Sequence, residues 1–362
     1  MACLILNRRC PANPERGGAE KYLIEMSKGF PVESGPITWV SSRVKGMPQT
    51  EKVGNLRYVR LGNEITCHFY GFVICLRNNW ELIIDGFNGV GFFTFAFKNR
   101  VLLIHQLYSE FWRVIFPKLG SFLEYLEKFF LKLYLNCPTI TVSASTKTDL
   151  EALGFKDVTI IENGCDEPKV NNSEKETTLT LAYLGRIKRT KNPDDAINAY
   201  MEIKKKIPEA KLWIIGDGPE LERMRSQYTN CTHILFYGYV EDSIRDELLS
   251  RAHFLLVPSI REGWGQVVIQ ANACGTPAIG YDVPGLRDSI IHNKTGILVK
   301  DYQEMAKVVL ELWTRHRDFY KALCYNAKEW AKNFSWEKTR KAFIDFLESR
   351  GFLKGDLQNK RF

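Results

Sequence analysis

The hydrophobic residues of this chain fall into short runs that recur along its length. In the first half several runs are continuously apolar instead of alternating, as is typical of parallel strands buried on both faces. These runs are residues 3–7, 37–41, 56–61, 82–85, 101–106, 139–142 and 158–161. Residues 19–30 follow the first run with helical spacing, so the pattern predicts a doubly wound α/β sheet.

A polar stretch separates this series of strands and helices from a second one. Residues 168–178 are rich in Asn, Ser, Glu and Lys, and they have the composition of a linker. A second alternation of strands and helices begins at Thr180. We therefore predict two domains, residues 1–167 and residues 179–335, joined by a linker at 168–178.

Composition excludes several classes of protein. Of the 362 residues, 45% are hydrophobic and 25% are charged, with a net charge of +8, as in ordinary globular proteins. No apolar run reaches the roughly 18 residues of a membrane-spanning helix. The sequence has no zinc-finger, RNP-type or helix-turn-helix motif, so no nucleic acid partner is expected. The nine cysteines lack CxxC spacing, which favours a reducing cytoplasm over disulfides or zinc.

The most informative stretch is residues 257–285, VPSIREGWGQVVIQANACGTPAIGYDVPG. Its pattern predicts a buried strand that ends at Pro258, a polar turn with Glu262 and a helix that begins near Gly265. This order places the amides of residues 263–265 at a helix N-terminus. Unpaired N–H groups and the helix dipole favour an anion there.

A second polar loop follows the first strand of the second series. Arg186 and Lys191 lie in this loop, before a helix that is predicted to begin near Pro193. Arginine offers a planar fork to phosphate oxygens and lysine offers a compact charge, so the pair is suited to a diphosphate. A solvated basic loop is the alternative, and we assign Lys188 and Arg189 to it.

Together these segments resemble glycosyltransferase family 4, the retaining GT-B transferases also called glycosyl transferases group 1. That family has two glutamates eight positions apart in a Glu-Gly-aromatic-Gly setting, followed by a Gly-Thr-Pro strand. The matching residues are Glu262, Gly263, Trp264, Gly265, Gly275, Thr276, Pro277, Gly280, Pro284 and Gly285. The second glutamate does not match, because position 270 is Gln.

The resemblance extends over nearly the whole chain and implies its architecture. The GT-B fold has two Rossmann-like, doubly wound parallel-sheet domains that face a central cleft. Residues 1–167 would form the acceptor side and residues 179–335 the side that binds the nucleotide sugar. Residues 336–350 would form a C-terminal helix that crosses back to the first domain.

The resemblance also implies roles for individual residues. Arg186 and Lys191 would hold the donor diphosphate, and Glu262 would bind the sugar hydroxyls. His105, at the end of a predicted strand, would lie near the donor sugar. The other implied donor-site residues are Gly17, Gly18, Gly216, Asp217, Gly218, Tyr239, Val240, Gly263, Trp264, Gly265 and Gln270.

The implied activity is transfer of a hexose from a UDP- or GDP-sugar to a hydroxyl acceptor with retention, in glycan, polysaccharide or glycolipid assembly. Tyr108 and Glu110 would line the acceptor side. No Asp-x-Asp motif ends a strand, so neither a metal nor a cofactor is expected, and the nucleotide sugar is a co-substrate. A catalytically weak or inactive GT-B-like subunit that binds nucleotide or glycan is the alternative, because Gln270 replaces a glutamate.

Residues 111–134 combine aromatic, leucine and basic residues, and their spacing predicts a helix after Gly120. Phe122, Leu126, Phe129 and Leu133 form the predicted buried stripe, and Glu124, Glu127, Lys128 and Lys132 form the predicted polar face. We favour packing inside the domain for this helix. The alternative is a peripheral contact with the inner membrane face, which would suit a cytoplasmic enzyme with a lipid-linked glycan as acceptor.

Overall fold

The computed structural model describes residues 2–31, 35–169 and 174–353. Residues 170–173 of the predicted linker lie outside these ranges. The chain forms two compact units. The first unit comprises Met1–Ser109, Ser121–Gly164 and Trp336–Phe362, and the second comprises Glu110–Gly120 and Cys165–Ser335. Glu110–Gly120 therefore group with the second unit, whereas the sequence prediction had placed them in the first domain.

The strands form one sheet in each unit. Their bounds are β1 Cys3–Leu6, β2 Ile37–Ser41, β3 Thr50–Val53, β4 Leu56–Arg60, β5 Leu82–Gly86, β6 Arg100–Ile104, β7 Thr139–Thr141, β8 Val158–Ile160, β9 Thr180–Leu184, β10 Lys211–Ile215, β11 Ile234–Gly238, β12 Phe254–Val257, β13 Ala278–Tyr281 and β14 Gly296–Val299.

Helices connect most of these strands, and three helices follow the last strand. Their bounds are α1 Gly18–Lys28, α2 Cys67–Arg77, α3 Ser109–Ile115, α4 Gly120–Lys132, α5 Ala144–Ala152, α6 Pro193–Lys204, α7 Leu221–Gln227, α8 Asp242–Arg251, α9 Gln266–Ala273, α10 Leu286–Ser289, α11 Tyr302–Thr314, α12 Arg317–Ala331 and α13 Trp336–Ser349.

The first unit contains an eight-stranded sheet in the order β3-β4-β2-β1-β5-β6-β7-β8. Neighbouring strands are parallel, except that β3 pairs antiparallel with β4. The continuous apolar runs correctly predicted the buried parallel strands. Strand β3 was missed because residues 50–53, Thr-Glu-Lys-Val, are largely exposed and carry no apolar pattern.

The second unit contains a six-stranded parallel sheet in the order β11-β10-β9-β12-β13-β14. Apolar side chains cover both of its faces. Leu181 and Tyr183 of β9 belong to one buried cluster, whereas Ala182 between them belongs to the other. Successive side chains of a strand point to opposite faces, so helices must cover this sheet on both sides. The prediction of doubly wound α/β units is confirmed.

Helix α4 confirms the predicted helix after Gly120, but the structure exposes three of the four residues of the predicted buried stripe and buries Glu127 of the predicted polar face. Phe122, Phe129 and Leu133 are 59%, 49% and 40% exposed, whereas Glu127 is only 2% exposed. The carboxylate of Glu127 accepts a hydrogen bond from the backbone N–H of Tyr108 at 2.8 Å. This bond satisfies the buried carboxylate and fixes the orientation of the helix, which sequence periodicity cannot specify.

A buried carboxylate organises the loop that follows β5 in the first unit. Asp85 is completely buried and accepts hydrogen bonds from the Thr94 hydroxyl at 2.7 Å and the Tyr134 hydroxyl at 3.1 Å. The backbone N–H of Phe92 also donates to it, at 3.1 Å. Desolvation nevertheless outweighs these donors and raises the pKa of Asp85 from 3.8 to about 6.

Asp85 should make the stability of the first unit depend on pH. Its folded-state pKa lies above its unfolded value, so its contribution is fully present below pH 3.8 and is lost as pH rises through about 6. The full effect is about 3 kcal/mol. We expect the free energy of unfolding of the wild type, measured relative to Asp85→Asn by urea denaturation, to fall between pH 4.5 and 7. The exposed Asp318→Asn variant serves as control, and a pH-independent difference would contradict this assignment.

Candidate donor-binding site

Two loops of the second unit meet because β9 and β12 are parallel neighbours. Leu181 and Ala182 pair with Phe254 and Leu255, so both strands end at the same edge of the sheet. The loop after β9 contains Lys191, and the loop after β12 contains Glu262. In open α/β sheets this carboxyl edge is where ligands bind.

Lys191 and Glu262 form an ion pair at this edge. The Nζ of Lys191 contacts the Oε1 of Glu262, and the two side chains are only 21% and 12% exposed. The hydroxyl of Ser259 donates a hydrogen bond to the same carboxylate oxygen at 2.7 Å. The structure thus brings together two residues from separate motifs, for which the resemblance implied contacts with the donor diphosphate and the donor sugar.

Backbone contacts hold both loops in place. The N–H of Ile260 donates to the carbonyl of Thr190 at 3.3 Å, which joins the loop after β9 to the loop after β12. The N–H of Glu262 donates to the carbonyl of Pro284 at 3.1 Å. Gly285, at φ +82°, leaves room for this contact, because a Cβ there would lie 2.1 Å from the carbonyl oxygen of Glu262.

Helix α9 begins directly after this turn. Its N-cap is Gly265 in the left-handed region at φ +85°, where a side chain would be strained. The amides of the first turn therefore follow Glu262 closely along the chain, as the sequence predicted. The positive end of the dipole of this eight-residue helix favours a negatively charged group near its start.

The side chain of Trp264 lies in the interior of the second unit. It is 3% exposed, and its ring packs edge-on against Phe334 with the centroids 5.1 Å apart. The sequence prediction placed Trp264 in the donor site. In the structure its indole supports the turn, and only its backbone is positioned beside the predicted anion site.

Close backbone contacts at Gly185, Gly216 and Gly238 join the loops after β9, β10 and β11, and we call these contacts the glycine crossing. The N–H of Ile187 donates to the carbonyl of Asp217 at 3.0 Å, and the N–H of Gly216 donates to the carbonyl of Gly238 at 2.8 Å. Gly216 has φ +134°, and a Cβ there would lie 1.9 Å from the carbonyl oxygen of Gly185. The crossing therefore requires glycine at position 216.

The remaining predicted donor residues of the second unit lie in the loops after β9, β10 and β11 and, for Gln270, on α9. Arg186 follows β9, and the hydroxyl of Tyr183 donates to its carbonyl at 3.2 Å. Asp217 is exposed and its Oδ1 accepts a hydrogen bond from the N–H of Gly218 at 2.7 Å. Tyr239 is 66% exposed after β11, and Val240 and Gln270 are half-buried.

In the first unit, two of the predicted loops lie at the carboxyl edge of the other sheet. Gly17 is the N-cap of α1, and its N–H donates to the buried carboxylate of Glu20 at 2.7 Å. Gly18 is the first residue of α1 and is exposed, as is Gly17. Asn7, at the end of β1, donates to Glu20 at 3.0 Å. This network fixes the glycine loop.

His105 directly follows β6, as predicted. Its ring packs edge-on against Tyr22 at 5.2 Å, and its carbonyl accepts a hydrogen bond from the Thr146 hydroxyl at 3.3 Å. Burial lowers the pKa of His105 from 6.5 to about 4, so the imidazole is neutral at physiological pH. Its Nε2 is buried and has no hydrogen-bond partner among the described residues.

Tyr108 and Glu110, predicted to lie together on the acceptor side, belong to different units. The Tyr108 hydroxyl lies 3.5 Å from the Oδ1 of Asn88 in the first unit. Glu110 accepts a hydrogen bond from Arg261 at 2.7 Å within the second unit. Arg261 is 3% exposed and directly precedes Glu262. Glu110 therefore supports the turn that contains the central carboxylate.

Ser259 and Arg261 were not singled out from the sequence. Both lie within the three residues before Glu262, so proximity to this residue was the one signal in the sequence that could have pointed to them. A serine and an arginine in a polar turn are ordinary, however, and only the folded geometry shows that they hold Glu262 and Glu110. Within the described residues no group of three or more His, Cys, Asp or Glu side chains could hold a metal ion.

Comparison with solved structures defines the class of fold. Sucrose-phosphate synthase from Thermosynechococcus elongatus aligns over 97% of this chain and 99% of its own, with a TM-score of 0.75 and 17% identity. The lipopolysaccharide glycosyltransferase WaaG aligns over 95% and 99%, with a TM-score of 0.75 and 15% identity. HepE of Anabaena, solved with UDP-glucose, aligns over 96% and 100%, with a TM-score of 0.70 and 16% identity. The fold is GT-B, as the resemblance implied.

The similarity in sequence lies in the second unit. Residues 166–330, which make up nearly all of that unit, match the family model of glycosyl transferases group 1. D-inositol 3-phosphate glycosyltransferase of Jonesia denitrificans is 30% identical over 171 residues, which are 44% of this chain and 40% of that protein. A GDP-mannose-dependent phosphatidylinositol monomannoside mannosyltransferase of Mycobacterium tuberculosis is 30% identical over 186 residues, 46% of this chain and 47% of that protein. The matches thus span about half or less of these relatives.

The glycine crossing predicts a matched pair of substitutions. Gly275 also has a positive φ, +72°, but a Cβ there would meet no heavy atom within 4 Å. Gly275→Ala should therefore lower the free energy of unfolding only by the strain of its backbone, about 1–2 kcal/mol. Gly216→Ala adds a clash with the carbonyl oxygen of Gly185. Its free energy of unfolding should therefore fall by about 1–3 kcal/mol more than that of Gly275→Ala. Equal losses of unfolding free energy for the two variants, measured by urea denaturation, would contradict the close contact at position 216.

Proposed function

We propose that this protein is a retaining glycosyltransferase that moves a hexose from a UDP- or GDP-sugar to a hydroxyl acceptor without a metal. The observation that supports this most directly is the ion pair of Lys191 and Glu262 beside the start of α9. It puts a cation for phosphate oxygens and an acceptor for sugar hydroxyls within contact distance at one sheet edge. The match of residues 166–330 to the family model of glycosyl transferases group 1 supports this activity.

Transfer of the hexose requires stabilisation of a departing diphosphate. Preorganised donors aimed at a leaving group are usually the largest electrostatic contribution to such a reaction. Lys191, Arg186 and the amides at the start of α9 are the proposed donors. The guanidinium of Arg186 suits two phosphate oxygens at once, and the lysine supplies a compact charge.

Glu262 would act on the sugar and not as a covalent nucleophile. Its carboxylate is held by Ser259 and Lys191 at one oxygen, Oε1. A diphosphate bound to Lys191 would take this cation from the carboxylate and leave it to accept hydrogen bonds from sugar hydroxyls. Its negative charge would also stabilise an oxocarbenium-like sugar, and the departing phosphate would take the proton of the acceptor hydroxyl on the same face.

The identity of donor and acceptor is proposed at the level of class. A solved neighbour was obtained with UDP-glucose and a relative is described as GDP-mannose-dependent, so uridine and guanosine diphosphate hexoses are the first candidates. We propose a hydroxyl of a glycan, polysaccharide or glycolipid as acceptor. The roles that the resemblance implies for Gly17, Gly18, His105 and Tyr108 stay predictions.

A weak or inactive nucleotide-binding subunit is the second candidate, and Gln270 is the observation that favours it. A glutamine keeps an acceptor oxygen for ribose hydroxyls but lacks the charge. Hydrogen bonds to charged groups contribute roughly 1.5–3 kcal/mol against about 1 kcal/mol for neutral ones. The substitution therefore corresponds to about a tenfold weaker donor affinity, which leaves catalysis intact.

Donor binding can be measured by the thermal shift of the full chain with UDP-, GDP-, ADP- and TDP-sugars. We expect one UDP- or GDP-hexose to stabilise the protein, by about 2.7 kcal/mol at a hundred times its dissociation constant. Arg186→Ala should abolish this shift because it removes a phosphate contact. Arg189→Ala, in the same loop with a side chain 77% exposed, should preserve it.

Two outcomes would count against the enzyme. If no nucleotide sugar stabilises the protein at millimolar concentration, donor binding itself is refuted. If a donor binds but neither its hydrolysis nor its transfer is detected, and Gln270→Glu restores one of them, the inactive binding subunit is the better description of the natural chain.

A further inference from the structure

Helix α4 presents to solvent the side chains that a globular domain normally buries. Phe122, Tyr125 and Phe129 of α4 and Leu133, the residue that follows the helix, are 59%, 66%, 49% and 40% exposed. Their spacing of three, four and four residues places them on one face, which we call the aromatic face of α4. A helix of 13 residues is about 20 Å long, so the face is extended and continuous.

The acidic residues of α4 are turned away from this face. Glu127 is 2% exposed and binds the backbone of Tyr108, and the side chain of Glu124 is 13% exposed and pairs with Lys128 at 2.7 Å. A helix that only covered a protein core would have the opposite arrangement, with its carboxylates in water and its aromatic rings inside. Leu131 and Phe130 pack α4 against the core of the first unit, but that packing does not explain its exposed aromatic face.

The charges that remain accessible on α4 are positive. The side chain of Lys128 is 42% exposed and Lys132 is exposed. Lysines have long apolar stems that let their ammonium groups reach polar surroundings while the stem lies along apolar surface. An exposed face of Phe, Tyr and Leu with flanking lysines is the composition of helices that lie in the interface of a bilayer.

We propose that α4 docks the first unit onto an anionic bilayer surface. The aromatic face would enter the headgroup region, and Lys128 and Lys132 would contact lipid phosphates, with an electrostatic contribution from each lysine. A second copy of the chain fits less well, because it presents the same lysines beside its aromatic face, whereas an anionic bilayer supplies the complementary negative charge. The described residues contain no helix that is long and apolar enough to cross a membrane.

The docking does not depend on the proposed transfer reaction and is tested by binding alone. The full chain is mixed with vesicles of phosphatidylcholine, or of phosphatidylcholine with 30 mol% phosphatidylglycerol, and bound protein is separated by flotation. We expect binding to the anionic vesicles that weakens in 0.5 M salt, because salt screens the lysine contacts. Phe122→Ser combined with Phe129→Ser should reduce the partition coefficient by about tenfold or more.

Charge and position are tested by separate variants. Lys128→Glu with Lys132→Glu should lower binding to anionic vesicles by about tenfold and leave the weak binding to neutral vesicles unchanged. Tyr125→Ser should reduce binding. Tyr325→Ser should leave binding unchanged. Tyr325 lies on α12 and is 68% exposed, against 66% for Tyr125, so this variant is a matched control. The melting temperature of each variant controls for folding.

Three results would overturn the proposal. The wild type could fail to float with anionic vesicles, or the lysine and aromatic variants could bind as well as the wild type. Alternatively, size-exclusion chromatography could show a dimer of the wild type that the variant with Phe122→Ser and Phe129→Ser lacks. In that case the aromatic face is an interface between copies of this chain.

Discussion

The contact between Lys191 and Glu262 is the interaction on which the account of the site depends. It exists because β9 and β12 are adjacent parallel strands whose loops leave the sheet at the same edge. Neither loop has this chemistry alone, since one supplies the cation and the other the carboxylate. Ser259 donates to Glu262 from the same turn, so the carboxylate is held by two partners.

The glycines around this contact are required by close approaches of the backbone and not by a need for flexibility. Gly285 admits the carbonyl of Glu262, and Gly216 admits the carbonyl of Gly185, at distances that a Cβ would make impossible. Arg261 and Glu110 add a second ion pair directly beside the central carboxylate. The turn is therefore constrained through backbone and side chain together, which suits a site that must hold charged groups in fixed positions.

Much of this could be predicted from the sequence. Continuous apolar runs indicated the parallel strands, and the parallel sheet then placed Lys191 and Glu262 at one edge. The orientation of α4 could not be predicted, because Glu127 is buried by a bond to the backbone of Tyr108 that depends on tertiary structure. The contact of Glu110 with Arg261 could not be predicted for a similar reason, since Arg261 lies far away in the sequence. Hydrophobic periodicity does not encode polar contacts between distant residues.

The two parts of the account concern different surfaces. The donor site belongs to the second unit, whereas the aromatic face of α4 belongs to the first. The donor site is supported by the match to a glycosyltransferase family model as well as by geometry, and the aromatic face by exposure and charge alone. An enzyme that transfers a sugar to a glycolipid would use both, but each can be correct without the other.

The most direct test of the central claim is the affinity of UDP and GDP for Glu262→Gln, measured by isothermal titration calorimetry against the wild type. If Lys191 binds the diphosphate in competition with Glu262, loss of the carboxylate charge frees the lysine. The dissociation constant of the bound nucleotide should then fall by roughly threefold to tenfold. An unchanged or weaker affinity would show that Lys191 does not exchange Glu262 for phosphate, and would contradict the account.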